Sequence, residues 1–277
     1  MNKIRFKQRK LFKAVKILTV IAAIFIFVYI GIQPYVKNYS AELAVVLNYV
    51  CDILVVAVLA VLFLYVSKYG KCDSFLSSVE NEINDAGYYF TSRTERDSES
   101  LINVIYEDLK SCGYSVNKNQ TINDFDFSVK ASKKNEFFYI ADIDGADKND
   151  VVAYLDAVIN DLTVNNLKRK GNAVLCIVTD KADESAVGLS KMITPVGRKE
   201  QLKIALAICE SESERVYFLG NVQTKCQQMI VNFAMNCELP IKEQYISKEK
   251  LPFQYELEKR MEGFTIKDYK NGNFYAH

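Results

Sequence analysis

Two long apolar runs stand out in the hydrophobic pattern near the start of the chain. Residues 17–36 carry no charged side chain, and residues 43–67 carry a single one, Asp52. About twenty apolar residues in a helix are enough to cross the hydrocarbon layer of a bilayer. The pattern therefore predicts a transmembrane helical hairpin over residues 17–66, preceded by a basic segment, residues 1–16.

After the hairpin, apolar and polar positions recur at helical or strand spacing. Residues 73–85 predict a short amphipathic helix, and the polar run 91–100 predicts a linker. We therefore expect a juxtamembrane helix and linker over residues 67–97, followed by a folded domain over residues 98–277.

The first part of that domain predicts the order helix, strand, strand, strand, helix, strand. The helix begins near Ser98, and its buried stripe consists of Leu101, Ile102, Ile105 and Leu109. The three strand patterns cover residues 114–117, 124–131 and 136–143. A long helix over residues 149–170 then precedes an apolar run, residues 172–179, that is typical of a buried parallel strand.

The rest of the domain predicts further strands and helices of a mixed sheet. A helix over residues 183–193 is followed by two strands, 202–209 and 215–219, which bracket an acidic turn. The last predicted elements are a helix over 221–236, a helix over 252–262 and a hairpin at the Asn271-Gly272 turn. At Leu219-Gly220-Asn221, a junction between strand and helix, backbone N–H groups could contact an anion. The fold class is therefore α/β.

Charged residues are distributed unevenly along the chain. Residues 1–66 hold eight of the 35 Lys and Arg residues and two of the 34 acidic residues, which leaves 27 basic and 32 acidic residues for the remainder. Because basic residues favour the cytosolic side of a membrane, the amino terminus and the domain are both expected in the cytoplasm. The chain is then a multi-pass protein of the plasma membrane, in contact with the lipid bilayer. A cleaved signal peptide is the alternative, but the first run is too long and a second follows directly.

The composition of the domain excludes several function classes. Its acidic balance disfavours a nucleic-acid partner, since Lys and Arg supply most of the affinity for phosphates. The seven cysteines are scattered without a C-x-x-C pair, and the only histidine is His277. Zinc sites built from Cys and His, and hydrolytic triads that need a His base, are therefore not expected.

Two polar residues interrupt the second apolar run. Asn48 and Asp52 are four positions apart and lie on one face of a helix. A charged side chain at this depth invites a functional hypothesis, such as a proton site or an ion path. The alternative is a packing role, in which this face contacts Thr19, Tyr29 or another copy of the hairpin. The second reading predicts a homo-oligomer that forms through the hairpin.

From residue 98 to residue 179 the order of elements resembles the core of the restriction-endonuclease-like, or PD-(D/E)xK nuclease, superfamily and its Mrr-like members. The resemblance implies an αβββαβ core in which Asp126, on the second strand, and Asp142, at the end of the third, bind Mg²⁺. In that family a lysine two positions after the second carboxylate positions the attacking water. Position 144 is Asp in this chain, and Lys130 on the second strand is the candidate to replace the missing lysine.

Three readings of the domain remain open: an active metal-dependent nuclease, a domain of that fold that has lost catalysis, and another α/β arrangement. The function that we predict is a membrane-anchored cytosolic α/β module without catalysis. It would act as an interaction or sensing domain at the inner membrane face, with a protein partner that the sequence does not identify. The alternative function is a membrane-tethered, Mg²⁺-dependent nuclease that uses Asp126, Asp142 and Lys130.

Overall fold

A computed structural model describes residues 3–197, 199–265 and 269. Its helices are α1 (Lys3–Tyr39), α2 (Ala41–Asn84), α3 (Ser98–Ser111), α4 (Lys148–Asn160), α5 (Glu184–Ser190), α6 (Lys225–Phe233) and α7 (Pro252–Gly263). Its strands are β1 (Tyr89–Phe90), β2 (Ser115–Ile122), β3 (Phe125–Lys133), β4 (Glu136–Asp142), β5 (Gly145–Ala146), β6 (Gly171–Thr179), β7 (Lys181–Ala182), β8 (Ile193–Val196), β9 (Leu202–Glu210) and β10 (Arg215–Tyr217). The hairpin predicted at the Asn271-Gly272 turn lies outside the described residues.

The described chain divides into two compact units. The first, here called the hairpin unit, contains the residues up to Val79 together with those from Leu257 onward, and the second, the α/β unit, is Glu80–Glu256. Each unit is described below by its own contacts.

The two predicted apolar helices are present as α1 and α2, and both are long and apolar enough to cross a membrane. In the most apolar stretch of each helix, 17% of the residues of α1 and 11% of those of α2 are buried. A core helix of a water-soluble protein would be mostly buried, because its apolar side chains gain free energy when they leave water. The outward faces of both helices instead expose Val, Ile, Leu and Phe side chains.

Polar contacts pair α1 and α2 as an antiparallel hairpin. The hydroxyl of Tyr29 donates to the Asn48 side chain at 2.9 Å and to the Ala44 carbonyl at 3.0 Å. Toward the other end, the guanidinium of Arg5 contacts the carboxylate of Asp73 and donates to the hydroxyl of Ser77. Polar groups in an apolar helix pair are most stable when they bond to one another, so these contacts define the register of the hairpin.

The amphipathic helix predicted over residues 73–85 is the last part of α2 and not a separate element. Of the apolar face that the sequence predicts for it, Leu76, Val79 and Ile83 are buried and Phe75 is half-buried. The helix continues because Gly70 is the only glycine between Ala41 and Asn84 and no proline occurs there. One glycine costs a helix about 1 kcal/mol, which does not break an apolar helix of this length.

The α/β unit contains a mixed sheet with the strand order β2-β3-β4-β6-β9-β10-β1, and β8 also pairs with β9. The central strands β4, β6 and β9 are parallel, as predicted for residues 172–179, and the remaining pairs of this sheet are antiparallel. A separate pair, β5 and β7, forms a small parallel sheet. These observations agree with an α/β fold.

Helices cover both faces of the sheet. Along β6, Val174, Cys176 and Val178 pack in the cluster that contains α3 and α6. The intervening Leu175 and Ile177 pack in the cluster that contains α4 and α5. The continuous apolar run of β6 follows from this burial, since successive side chains of a strand point to opposite faces.

The order helix, strand, strand, strand, helix, strand is present from α3 to β6, with the two-residue β5 as an addition. All four residues of the predicted stripe of α3 are buried: Leu101, Ile102, Ile105 and Leu109. The first strand, β2, is longer than predicted. It forms the edge of the sheet and most of its side chains are exposed, so its pattern lacked the apolar alternation of a half-buried strand.

The helix predicted over residues 149–170 is wrong at its carboxyl end. Helix α4 ends at Asn160 and continues as a π-helical turn, Asp161–Asn165. The backbone N–H and the side chain of Asn166 both bond to the carbonyl of Asp161, which ends the turn. The loop that follows contains three basic residues, Lys168, Arg169 and Lys170. They would have ended the predicted helix and neutralised its dipole, but no helix terminus lies there.

The segment predicted as a linker, residues 91–100, is held against the α/β unit. Arg93 is 5% exposed and donates to the carbonyl of Phe233 at 3.0 and 2.7 Å and to the carboxylate of Asp108 at 2.6 Å. The backbone N–H of Ser92 donates to the carbonyl of Met235. A polar composition indicated a loose connection, whereas the buried arginine makes this segment part of the packed structure.

Candidate functional site

The predicted nuclease residues are all on the strands where the sequence placed them. Asp126 is exposed on β3 and accepts a hydrogen bond from the hydroxyl of Thr121 at 2.7 Å. Asp142 is the last residue of β4. Burial raises the pKa of Tyr154, on α4, and the negative charges of Asp126, Asp150 and Asp142 raise it further.

Lys130 is directed away from Asp142. Its ammonium lies 2.6 Å from the carboxylate of Asp161, which also accepts a hydrogen bond from the hydroxyl of Tyr139 at 2.6 Å. Lys130 pairs across the strands with Tyr139, which packs in the cluster that contains α4 and α5. On β4, Asp142 is two positions after Ile140, which packs in the cluster that contains α3 and α6. Because α3 and α4 cover opposite faces of the sheet, Lys130 and Asp142 lie on opposite faces.

The nuclease alternative requires carboxylates that converge on one metal ion. Among the described residues, no group of three or more His, Cys, Asp or Glu side chains is arranged to hold a metal ion. A hard cation such as Mg²⁺ takes several oxygen ligands in near-octahedral geometry. The described residues therefore give no support to a Mg²⁺ site with three or more such protein ligands.

The carboxyl ends of the parallel strands form an acidic edge. Asp142 ends β4, Asp180 follows β6 and Glu210 ends β9. The carboxylate of Glu210 accepts hydrogen bonds from the N–H of Ala182 and the hydroxyl of Tyr217, so it is used to hold the loops of this edge. Ligands of open α/β sheets usually bind at this end of the strands. The negative charge of this edge disfavours binding of a phosphodiester, because a phosphodiester is itself negatively charged.

Among the carboxyl groups of this edge, Asp142 is the one whose pKa is clearly raised. Burial raises the pKa of its carboxyl, and the negative charges of Asp144, Asp180 and Glu99 raise it further. A hydrogen bond from the Ser98 side chain opposes the shift. The ionised form of Asp142 is therefore disfavoured in the folded protein, because each nearby charge has the same sign.

The most buried charged pair of the α/β unit is Asp85 with Lys191, and the sequence did not indicate it. The ammonium of Lys191 lies 2.9 Å from the carboxylate of Asp85, and both side chains have 0% exposure. Lys191 also donates to the carbonyls of Ala86 and Phe218 at 2.7 and 2.8 Å. Burial lowers the pKa of Lys191, and the charge of Asp85 opposes that shift. Lysine is almost never fully buried without partners, so no local pattern predicts this position.

The backbone amides at Gly220 and Asn221 do bind an anion, and that anion is the chain's own carboxylate. The N–H of Gly220 lies 3.2 Å from both carboxylate oxygens of Asp85, and the N–H of Asn221 lies 2.9 Å from one of them. The hydroxyl of Tyr89 donates to the same carboxylate at 2.6 Å. The helix predicted over 221–236 is wrong at its start, because residues 221–224 lie outside the observed helix. Helix α6 begins only at Lys225.

In the hairpin unit, the two polar residues of the second apolar run have different surroundings. Asn48 is half-buried and accepts hydrogen bonds from Tyr29 and from Gln33, the latter at 3.2 Å. Of the two predicted partners in α1, Tyr29 is used, whereas the hydroxyl of Thr19 donates to its own helix at Val15. Asp52 is exposed, and no hydrogen bond or ion pair reaches it from the described residues.

Comparison with family models, with curated proteins and with solved structures finds no match for this chain. Three features of the chain bear on its function: the exposed apolar helices, the internally bonded charges of the α/β unit, and the exposed Asp52.

Proposed function

We propose that the protein is a membrane-anchored α/β module that acts, without catalysis, as an interaction or sensing domain at the inner face of the plasma membrane. The observation that carries this proposal is the exposure of α1 and α2, whose most apolar stretches are 17% and 11% buried. Apolar helical surface of this length is stable in lipid and costly in water. The proposed topology has the amino terminus and the α/β unit in the cytoplasm, with the loop near Ser40 outside.

Charge supports this orientation. Seven Lys and Arg residues precede residue 17, whereas Lys37 and Glu42 are the only charged residues between residues 17 and 51. Lys68 and Lys71 follow the second run. Basic residues are retained on the cytosolic side of a membrane, so both ends of the hairpin favour the same side.

The absence of catalysis is proposed because the buried and half-buried lysines of the α/β unit are held by structural ion pairs. Lys130 pairs with Asp161, and Lys191 pairs with Asp85. The element order from α3 to β6 supports a restriction-endonuclease-like αβββαβ core, and position 144 holds Asp where that family has its catalytic lysine. We accordingly extend the proposal to a domain of that fold that has lost its metal-dependent site.

Asp52 supports self-association through the hairpin. It is exposed well inside the second apolar run. Charged groups within a bilayer are rare and are usually paired or turned toward a helix interface. A second copy of the hairpin brings two such carboxyls together, and a hydrogen bond between them needs only one shared proton.

Membrane insertion and topology can be tested on the full chain in cells. Cys112 is exposed in the α/β unit, and Asn38 lies at the end of α1. A membrane-impermeant maleimide is expected to label Asn38→Cys in intact cells and Cys112 only after permeabilisation, with Cys112→Ser as the control. Extraction of the chain by alkaline carbonate, or labelling of Cys112 in intact cells, would contradict the proposed anchoring or orientation.

The nuclease alternative has a direct test with the purified full chain in detergent and Mg²⁺. We expect no cleavage of a supercoiled plasmid. Cleavage that is lost in Asp142→Ala and retained in Asp156→Ala, an exposed change on α4, would overturn the non-catalytic part of the proposal. That result would leave membrane anchoring intact, because the two properties depend on different units.

An interaction role predicts contacts that can be captured in place. A photo-crosslinking residue at an exposed position of the α/β unit, such as Glu212, is expected to give discrete protein adducts in membranes. The same residue at Phe27, which is 77% exposed on α1, is the control for contacts made by the hairpin. Adducts at Phe27 alone would contradict an interaction role for the α/β unit.

A further inference from the structure

A basic cleft opens at the amino-terminal ends of the parallel strands β6 and β9. It has a volume of about 480 Å³ and lies between the loop before β6 and the loop before β9. Its charged lining residues are Lys168, Arg169 and Lys199, and none of the described residues that line it is acidic. We call this feature the basic cleft.

Local backbone geometry brings the two loops together. Leu167 has a positive φ of 51° and Gly197 has one of 83°, so each loop reverses direction before its strand begins. The N–H of Gly171, the first residue of β6, donates to the carbonyl of Gln201 at 3.1 Å. This bond holds the two loops side by side. The cations of both loops therefore line the same opening.

The cations of the basic cleft are not neutralised within the described part of the chain. None of the three forms an ion pair there, although the ammonium of Lys168 lies 5.5 Å from the centre of the Phe137 ring. Glu200 follows Lys199 in sequence but does not line the cleft. Three cations around one opening attract an anion, and phosphate groups are well matched to Arg and Lys donors.

Exposed aliphatic side chains lie next to these cations. Val164, in the π-helical turn, is 64% exposed, and Leu167, in the loop with Lys168 and Arg169, is 75% exposed. Isolated exposed aliphatic residues are common, but aliphatic residues together with cations are the combination that binds the interface of an anionic membrane. A soluble phosphate compound offers nothing for Val164 and Leu167 to contact.

The two ends of the parallel strands carry opposite charge. The basic cleft is at the amino-terminal ends of β6 and β9, whereas Asp180 and Glu210 are at their carboxyl ends. A unit with this charge separation has a preferred orientation near a negatively charged surface. The cytoplasmic leaflet of a membrane is negatively charged, and each Lys or Arg near it contributes about 1 kcal/mol.

We propose that the basic cleft binds the phosphate headgroup of an anionic phospholipid, with Val164 and Leu167 entering the interface beside it. The inference rests on the proposed membrane anchoring, because the hairpin supplies the membrane at high local concentration. It assigns the α/β unit a lipid ligand of defined chemistry and an orientation with the acidic edge turned away from the membrane.

The chain contains no tryptophan, so Leu167→Trp introduces a single fluorescent reporter. The full chain with this substitution is reconstituted into bilayers of brominated phosphatidylcholine, alone or mixed with brominated phosphatidylglycerol. We expect a blue shift and quenching of the emission in the mixed bilayers only. Val152→Trp, at an exposed aliphatic position of α4, is the matched control and is expected to remain unquenched in both.

Removal of the cations separates headgroup binding from contact by the aliphatic residues alone. Lys168→Gln, Arg169→Gln and Lys199→Gln, made in the Leu167→Trp background, are each expected to lower the ratio of docked to undocked protein roughly fivefold. Equal quenching in phosphatidylcholine alone, or quenching unaffected by the three changes, would overturn headgroup recognition. Quenching abolished by millimolar glycerol phosphate would reassign the cleft to a soluble phosphate and overturn the lipid proposal.

The anchoring itself is measured separately by co-flotation of the full chain with phosphatidylcholine bilayers. A chain that floats with these bilayers but shows no quenching in the mixed ones refutes the docking inference and leaves the proposed function standing. A chain that does not float refutes the proposed function.

Discussion

The ammonium of Lys191 lies 2.9 Å from the carboxylate of Asp85, and neither side chain has any solvent exposure. The two residues are 106 positions apart in the chain. Asp85 directly follows α2, and Lys191 directly follows α5. The pair therefore holds the start of the α/β unit against its sheet, and the amides of Gly220 and Asn221 complete the bonding of the carboxylate.

Removal of Lys191 is predicted to be strongly destabilising. Lys191→Met leaves the carboxylate of Asp85 buried without its cation, which typically costs about 3–5 kcal/mol. The control is Lys225→Met, because Lys225 is 43% exposed and its contact with Glu136 is 3.5 Å long. That change should cost less than about 1 kcal/mol. Urea unfolding of the full chain in detergent measures both, and equal losses would contradict the role given to the buried pair.

A methyl group at Gly220 is predicted to disturb the same network. A Cβ at this position would lie 2.3 Å from the hydroxyl and ring of Tyr89, whose hydroxyl is bonded to Asp85. Overpacking of this kind costs about 1–3 kcal/mol. Gly188→Ala in α5 is the control, since the nearest atom to its new Cβ is 4.0 Å away and alanine favours the helix. Thermal unfolding should show a loss for Gly220→Ala and a small gain for Gly188→Ala.

Two arginines in one segment are predicted to respond differently to the same substitution. Arg93→Lys loses the planar guanidinium that bonds to both Phe233 and Asp108, and a cost of about 2–4 kcal/mol is expected for a buried group of this kind. Arg96 is 53% exposed and pairs with Glu214 at the surface, so Arg96→Lys should change stability by less than about 0.5 kcal/mol. Comparable losses in denaturant unfolding would show that residues 91–100 do not depend on the buried arginine.

Asp142→Asn is predicted to stabilise the α/β unit at neutral pH. The pKa of Asp142 is raised above its ordinary value of 3.8, so the folded protein holds more protons than the unfolded chain between these two values. Stability is therefore lost as the pH rises through that window, and the penalty is complete above the raised pKa. The amide keeps the acceptor for Ser98 and removes the charge.

We expect a gain of roughly a few tenths of a kcal/mol at pH 7, because water screens a partly exposed carboxyl. The gain should shrink as the pH falls through the raised pKa and vanish below about 3.8. Asp126→Asn is the control for a change at an exposed strand carboxyl. Unfolding free energies measured across this pH range would contradict the assignment if the difference between Asp142→Asn and the native chain did not vary with pH.

Asp52→Leu is predicted to weaken association of the hairpin. Polar contacts between membrane helices contribute about 0.6–2 kcal/mol, which corresponds to a 3- to 30-fold change in the dimerisation constant. Energy transfer between chains labelled at Cys112 in bilayers measures that constant. Val56→Leu, at a position that is 66% exposed on the same helix, is the control. An unchanged constant for Asp52→Leu would refute self-association through this residue, and ion flux that is lost in Asp52→Asn would favour the ion-path reading.

The local pattern of the chain was sufficient for the two apolar helices and for most of the α/β unit. The stripe of α3 and the alternation of β3 were readable because each follows from the geometry of a single element. The apolar run of β6 was readable because both faces of a central parallel strand are covered. The end of α4 was not, because the spacing of apolar residues does not reveal the bonds from Asn166 to the carbonyl of Asp161 that end the following turn.

The candidate sites show the same difference between what the local sequence determines and what the tertiary structure determines. The sequence placed Asp126, Asp142 and Lys130 on the right strands, but only the tertiary structure decided that Lys130 lies on the face opposite Asp142. The junction predicted at Leu219-Gly220-Asn221 indicated that amides there could contact an anion, and only the fold supplied Asp85 as that anion. Periodicity depends on neighbours along the chain and can be read from it. The partner of a buried charge depends on which distant segments the sheet brings together, and that is determined by the fold.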